Sequence, residues 1–214
     1  MSLAVINHHL IVNAIMNKRP MKIFVTADNH FDHANIIKHC NRPFRNVNEM
    51  NQTLIDRWNE VVSDGDRVYV IGDFAWKDPE FWLRKLKGNK ILIKGNHDHK
   101  QNKAGWFQVV DKLETKIEGQ KVTLHHYQQT EWESSFHGSW HLYGHSHGNA
   151  VEHDHKLSFD VGVDLWDFTP IEWPQIVEKM RYKETIRQMW QDDQEWVPHK
   201  NRIEIAENNR KYWK

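Results

Sequence analysis

The chain has 214 residues and 25.7 kDa, carries 29 Lys and Arg against 29 Asp and Glu, and has a mean hydropathy of −0.81. That length suits one soluble domain with a substantial core, and the cancelled charge excludes the broad basic field on which non-specific nucleic-acid binders rely, so a small anionic substrate is favoured over long nucleic acid. The single cysteine, Cys40, excludes an internal disulfide and fits a reducing, cytoplasmic setting.

Taken in chain order, the stretch from Leu3 to Met16 is apolar but too short to span a bilayer, and it lacks the basic start and cleavage site of a secretory signal. No membrane association is expected. Residues 1–20 are read as an extension, either mobile, bound to a partner, or reflecting an upstream start. Residues 21–27 form a run of strand formers that stops at Asp28-Asn29-His30. Asn46, with Glu49 three residues on, resembles a capping box, and Val47, Met50, Leu54, Trp58 and Val61 then recur at helical spacing. A short strand at 68–71 ends in Gly72-Asp73. Asp78-Pro79 opens a second helix with Trp82 and Leu86 on one face. A strand at 90–94 runs into Gly95-Asn96-His97-Asp98.

From Val109 the pattern turns to sheet, with Glu118-Gly119-Gln120 as a turn, His125-His126 after Val122-Thr123-Leu124, and Gly144-His145-Ser146-His147 after residues 140–143. Residues 156–163 form another strand. Trp173, Ile176, Val177 and Met180 predict one amphipathic helix, and Ile186, Met189 and Trp190 a second that ends before Pro198. The expected fold is α/β (α+β), a four-layer α/β/β/α sandwich of two mixed sheets flanked by helices, over residues 21–182. Residues 183–214 form a helical tail whose tryptophans pack on the domain, make an oligomer contact or cover the site.

The five polar clusters all sit where an apolar run stops, the place where α/β proteins put their sites. Hydrolysis of a phosphate ester needs charge neutralised on the phosphoryl oxygens and a hydroxide near neutral pH, and two cations about 3.5–4 Å apart supply both. One carboxylate must then bridge, and Asp73, released by Gly72 into a tight turn, is the candidate. Asp28 and His30, two apart, share one side of the chain if its extended geometry persists. The mixture of imidazole, carboxylate and amide suits two divalent transition ions, with Mn favoured and Fe, Zn or Ni able to use the same donors.

Asp28-x-His30, Gly72-Asp73, Gly95-Asn96-His97-Asp98, a strand-end histidine and Gly144-His145-x-His147, in that order, resemble the calcineurin-like metallophosphoesterase superfamily. Residues 31–37 and 41–44, Tyr127 to Trp132, Val161-Gly162-Val163-Asp164 and Pro170-Ile171 are similar to its small bacterial and phage subgroup, so that the likeness covers about residues 21–180. Phosphoprotein phosphatases carry GDxVDRG and GNHE where this chain has Gly-Asp-Phe-Ala-Trp and Gly-Asn-His-Asp, which argues against that branch.

The resemblance implies that Asp28, His30, Asp73 and His147 hold one ion and that Asp73, Asn96, His126 and His145 hold the other. Neighbours on a strand point to opposite faces, so only one of His125 and His126 serves, and the family's His-Tyr pattern favours His126. His97 would be the general acid, and Asp98 either orients it or supports a neighbouring ligand. The implied activity is hydrolysis of a small phosphoester, a phosphodiester first, by a metal-bound hydroxide. Phosphomonoester or nucleotide hydrolysis comes next, then a short-substrate nuclease, then a scaffold that has lost catalysis. Arg42, with a forked guanidinium suited to a phosphate oxygen, is expected to touch substrate. His33 either reaches the substrate or caps the helix that follows. Histidines outside the clusters, His141 among them, are read as surface or structural.

Overall fold

Alternation along the short strands sorts the interior into two halves. In β1 (Ile23–Thr26), β2 (Arg67–Ile71) and β3 (Asn89–Ile93), Val25, Tyr69, Ile71, Ile91 and Ile93 enter one apolar cluster. Their neighbours Phe24, Val68, Val70 and Leu92 enter another, as the two-residue period of a strand requires. The computed structural model describes residues 19–98 and 105–192. The expected extension therefore lies, apart from Arg19 and Pro20, outside the described residues, as do the end of the tail with Trp196 and Trp213 and the side chain of Trp190.

With β4 (Gln108–Val110) and β9 (Ile171–Glu172), the first strands form a sheet in the order β4-β3-β2-β1-β9, parallel except for β9 against β1. A second sheet runs β5 (Leu113–Ile117), β6 (Gln120–Leu124), β7 (Trp140–Tyr143) and β8 (Ser158–Asp160), with β5 antiparallel to β6 and the others parallel. Two mixed sheets flanked by helices are the expected architecture.

Helices α1 (Ala34–His39), α2 (Val47–Val61) and α3 (Pro79–Lys85) cover one face of the first sheet through Ile36, Met50, Leu54, Trp58 and Leu83. The start of α2 is half a capping box. Asn46 Oδ1 accepts the Glu49 amide at 3.0 Å, but the Glu49 carboxylate turns to the Arg45 amide at 2.8 Å rather than to that of Asn46. At α3 the Asp78 side chain accepts from the Phe81 amide ahead of Pro79. The other cluster joins the two sheets through Val122, Leu124, Leu142 and Phe159, and takes Trp173, Ile176 and Met180 from α4 (Trp173–Asp192).

Helix α4 is continuous where two helices are expected. No Gly or Pro interrupts residues 175–192, and the buried Lys183, at the anticipated boundary, is anchored to Glu152 at 2.9 Å and to the His153 carbonyl at 3.1 Å. No helix among the described residues is long and apolar enough to cross a membrane. Because β1, β2 and β3 are parallel, as are β6 and β7, the loops that follow them emerge at one rim.

Trp58 is 1% exposed and its Nε1 donates to the Lys87 carbonyl at 3.0 Å, which pins α2 to the loop before β3. Replacing Trp58 by Ala is expected to cost about 3–5 kcal/mol of folding stability. Urea unfolding monitored by circular dichroism checks this, and a loss below about 1 kcal/mol would place Trp58 outside the tightly packed core.

Candidate metal centre

The loop after β1 abandons extended geometry at once. Asp28 and His30 take left-handed backbone, with φ of 56° and 52°, so the expected sharing of one side of a strand does not hold. The two side chains converge through turning instead. Asp73, His145 and His147 are left-handed as well, at 52°, 70° and 48°. Side chains other than glycine seldom adopt this region, Asp, Asn and His tolerate it best, and such residues gather at functional sites. Two glycines let the loops close on one another. A Cβ on Gly72 would lie 2.3 Å from His126 Nδ1, and one on Gly95 would lie 2.2 Å from Asp73 Oδ1.

The result is two donor groups, Asp28-His30-His147 and Asp73-His126-His145, each with atoms within 4.8 Å of one another. Between them, Asp73 Oδ2 lies 3.6 Å from His30 Nε2, 3.5 Å from His126 Nε2 and 3.9 Å from His97 Nε2. Asn96 Oδ1 is 3.1 Å from His126 Nε2. His126, fully buried, is the histidine of the pair that joins this cluster, whereas His125 Nδ1 turns to the Tyr127 carbonyl. Asp28 Oδ1 and His30 Nε2 are buried without a hydrogen-bond partner. Buried polar atoms are seldom left so, and two of them with acceptor lone pairs fit a cation.

Electrostatics point the same way. Burial pushes the Asp28 carboxyl up to about 7 against the opposing fields of His147 and His126. Burial also works against charge on Asp73, yet the hydrogen bond and charge of His126, the His97 amide and the charge of His30 bring it down to about 2. The same contacts with Asp73 and the field of Asp28 raise His126 to about 9 despite its burial. A pocket in which one carboxylate approaches neutrality and an imidazole is held protonated beside another is short of positive charge. Two divalent ions would supply it.

Backbone contacts and buried side chains orient these donors. His126 Nδ1 is 2.9 Å from the Ile71 carbonyl, which accepts that nitrogen's N–H and so leaves Nε2 as the nitrogen that would give up its proton to a bound ion. His147 Nδ1 is 2.7 Å from Asp164 Oδ2, and Arg42 clamps the same carboxylate through Nε at 2.7 Å and Nη2 at 2.8 Å. Arg42 also donates to the carbonyls of Asn29 at 3.1 Å and Asp28 at 2.7 Å, and is 4% exposed. The expected substrate contact of Arg42 is thereby corrected. Its donors are spent inside the protein, behind the ligand loops, because a buried guanidinium has to be paired.

Asp98 accepts the amides of Asp73 at 2.7 Å, Phe74 at 3.1 Å and Gly95 at 2.8 Å. These bonds tie the loop that carries Asp73 to the turn that carries Asn96, as support of a neighbouring ligand would require. Asp160 and Asp164 receive no role from the sequence. Asp160 holds the last loop through Ser146 Oγ at 2.6 Å and the Gly148 amide at 3.0 Å. The one clue to Asp164 is its place in the Val161-Gly162-Val163-Asp164 stretch.

A cleft of about 430 Å³ opens over the centre, lined among others by His30, His33, Asp73, Trp76, His97 and His145. His97 is 38% exposed there and its amide donates to Asp73 Oδ1 at 2.9 Å. His33 occupies the N-cap position of α1 but makes no capping bond. Its Nδ1 is 3.3 Å from His30 Nδ1, and its ring stacks on Trp76. His141 is buried with Nδ1 on the Thr123 carbonyl and Nε2 on the Gln129 amide, a structural histidine of the second sheet.

Residues 21–161 match the domain described as the calcineurin-like phosphoesterase superfamily domain. An uncharacterised protein of Methanocaldococcus jannaschii is 36% identical over 176 residues, which span 78% of this chain and 95% of that one. The gene 66 protein of Mycobacterium phage L5 is 26% identical over 178 residues, 66% of this chain and 86% of its own. In fold, the crystal structure of a protein of unknown function from Aquifex aeolicus aligns with a TM-score of 0.61 at 21% identity, over 74% of this chain and 99% of that one.

If Asp164 orients His147, then Asp164→Asn is expected to weaken binding of a divalent ion by about 10–100-fold. Arg42→Ala should do the same and also lower the melting temperature, rather than raise KM alone. Calorimetric titration of Mn into metal-stripped protein reads the first effect and thermal denaturation the second. Wild-type affinity in both variants would remove the Arg42-Asp164-His147 chain from the metal centre.

Proposed function

The chain belongs to the calcineurin-like phosphoesterase superfamily, and on that premise we propose that it is a dinuclear metal-dependent phosphoesterase acting on phosphodiesters. The observation that carries the reading is the pair of donor groups meeting at the Asp73 carboxylate, with Asp28 Oδ1 and His30 Nε2 buried and unpartnered beside it. Asp28, His30, Asp73 and His147 are assigned to one ion, and Asp73, Asn96, His126 and His145 to the other. When bound, the two cations neutralise phosphoryl charge and lower the pKa of water toward neutrality. Mn is the proposed ion because nitrogen and oxygen donors are mixed, and Fe, Zn or Ni suit the same set.

His97 is assigned as the general acid. Its ring is half open to the cleft, its backbone is fixed by Asp73 through the amide, and an imidazole has the right proton affinity near neutral pH. As the P–O bond to the leaving group breaks, the His97 proton passes to the departing oxygen, and the ring is reprotonated from solvent.

Preference for a diester is supported by charge. Among the described residues no Lys or Arg lines the cleft, and Arg42 is turned inward. The second negative charge of a monoester would find no fixed side-chain cation among the described residues there, whereas a diester carries only one. A cytoplasmic setting, which the lone Cys40 favours, belongs to the same proposal.

The test compares bis(p-nitrophenyl) phosphate with p-nitrophenyl phosphate on metal-stripped protein refilled with Mn, Ni, Zn or Fe. Metal-dependent diester turnover is expected, with His97→Ala lowering kcat by about 10²–10⁴-fold. Preference for the monoester would replace the diesterase reading by a phosphomonoesterase one. Silence on both esters at full metal loading would leave a binding scaffold.

A further inference from the structure

Trp76 is 49% exposed at the wall of the cleft that holds the metal donors. Nothing in the chemistry so far uses it. Nearby, Trp82 and Trp106 pack into the core as large apolar rings normally do. Trp76 instead lies parallel to His33, with ring centroids 4.3 Å apart and planes 10° apart, and its centroid is 5.4 Å from that of His97. Its backbone is fixed, since the Trp76 amide donates to the Phe31 carbonyl at 2.8 Å and Ala75 bridges Phe31. The ring is thus held in place, backed on His33, and left half open next to the proposed proton donor.

Resting on the phosphodiesterase reading, we propose that Trp76, backed by His33, forms a stacking subsite for a nucleobase carried on the leaving-group side of the scissile bond. The proton donor must lie beside the departing oxygen, so whatever that oxygen carries comes to rest against its neighbour Trp76. A flat π-system gains there by stacking, and every nucleobase offers such a face. The described part of this wall has aromatic and imidazole rings but no Lys or Arg, which suits a base better than a second phosphate. Short nucleotide diesters follow as the substrate class. The net charge of zero lacks the field by which long strands are gathered, and a cleft of about 430 Å³ is of the size that takes one small-molecule moiety.

The experiment measures kcat and KM of the Mn-loaded protein for thymidylyl-thymidine and for glycerophosphoglycerol, diesters of equal charge with alkoxide leaving groups. Wild type should prefer the dinucleotide. In Trp76→Ala the ratio of the two kcat/KM values should fall about tenfold, mostly through KM of the dinucleotide, whereas Trp76→Phe should keep most of it. Binding of thymidine, the departing alcohol of the dinucleotide, followed by calorimetry, should weaken by a similar factor in Trp76→Ala. Equal losses on both substrates with a lowered melting temperature would make Trp76 a structural cover for His33 and overturn the subsite. So would an unmoved ratio, or a wild-type preference for glycerophosphoglycerol. If Trp76→Ala fails to fold, Trp76→Met, which is flexible and lacks a ring, takes its place in the same comparison. Wild type that hydrolyses neither diester with both ions bound would instead overturn the phosphodiesterase reading beneath it.

Discussion

Four buried carboxylates hold the active end of this molecule together, and each accepts a backbone amide from a loop other than its own. Asp28 takes the amide of His145, Asp73 that of His97, Asp98 those of Asp73 and Phe74, and Asp160 that of Gly148. Charge-assisted bonds to amides are among the stronger ones available, and they stitch the first loop to the last and the second to the third. Direct amide-to-carbonyl bonds, from Asp28 to Gly72 at 3.0 Å and from His30 to Asp73 at 2.9 Å, close the remaining seam. The loops can afford so little regular structure because these anions fix them. Concentrating anions in one buried place also creates the deficit of positive charge that divalent ions would fill.

Much of this was legible in the chain. The parallel strands appear as short apolar runs, and the histidine and aspartate clusters stand at their ends. The helix over Val47–Val61 is marked by both its cap and its stripe. What escaped is long-range pairing. Arg42 as a sequence position looks like a free cation in a loop, and only its meeting with Asp164, 122 residues away, turns it into an internal clamp. Asp160 and Asp164 likewise read as ordinary residues around a glycine until the fold brings them under the last loop. The left-handed backbone at Asp28 and His30 was hidden for a different reason. Periodicity reports which face a residue occupies while a strand lasts, and it is silent once the strand stops. Two short apolar groupings suggest two helices, but with no breaker between them the backbone has no reason to stop and α4 runs on.

The fold and the centre divide the work of recognition. The sheets deliver the donors to one rim, and the amide-bound carboxylates keep their geometry, yet none of those parts distinguishes one phosphoester from another. Discrimination has to come from side chains that stand in the cleft without serving the ions. Among the described residues these are few, and Trp76 with His33 forms the largest flat surface among them. On the proposed reading, selectivity would rest on shape and stacking more than on fixed charge. That is consistent with a neutral protein whose local attraction for anions would come from its bound metals.

The left-handed conformations at His30, His145 and His147, whose side chains take no part in the amide ties between loops, set backbone ease against the retention of donors for a cation. At each position glycine would hold the same backbone with less steric strain, but it would remove a donor. Selection for thermal tolerance alone would drift toward that relief and erase the centre step by step, while the sheets beneath it stayed intact. A descendant of this chain that had given up catalysis would then be recognisable by glycines in place of those histidines, the loop-tying aspartates still in place, and a cleft with too few donors to grip a cation.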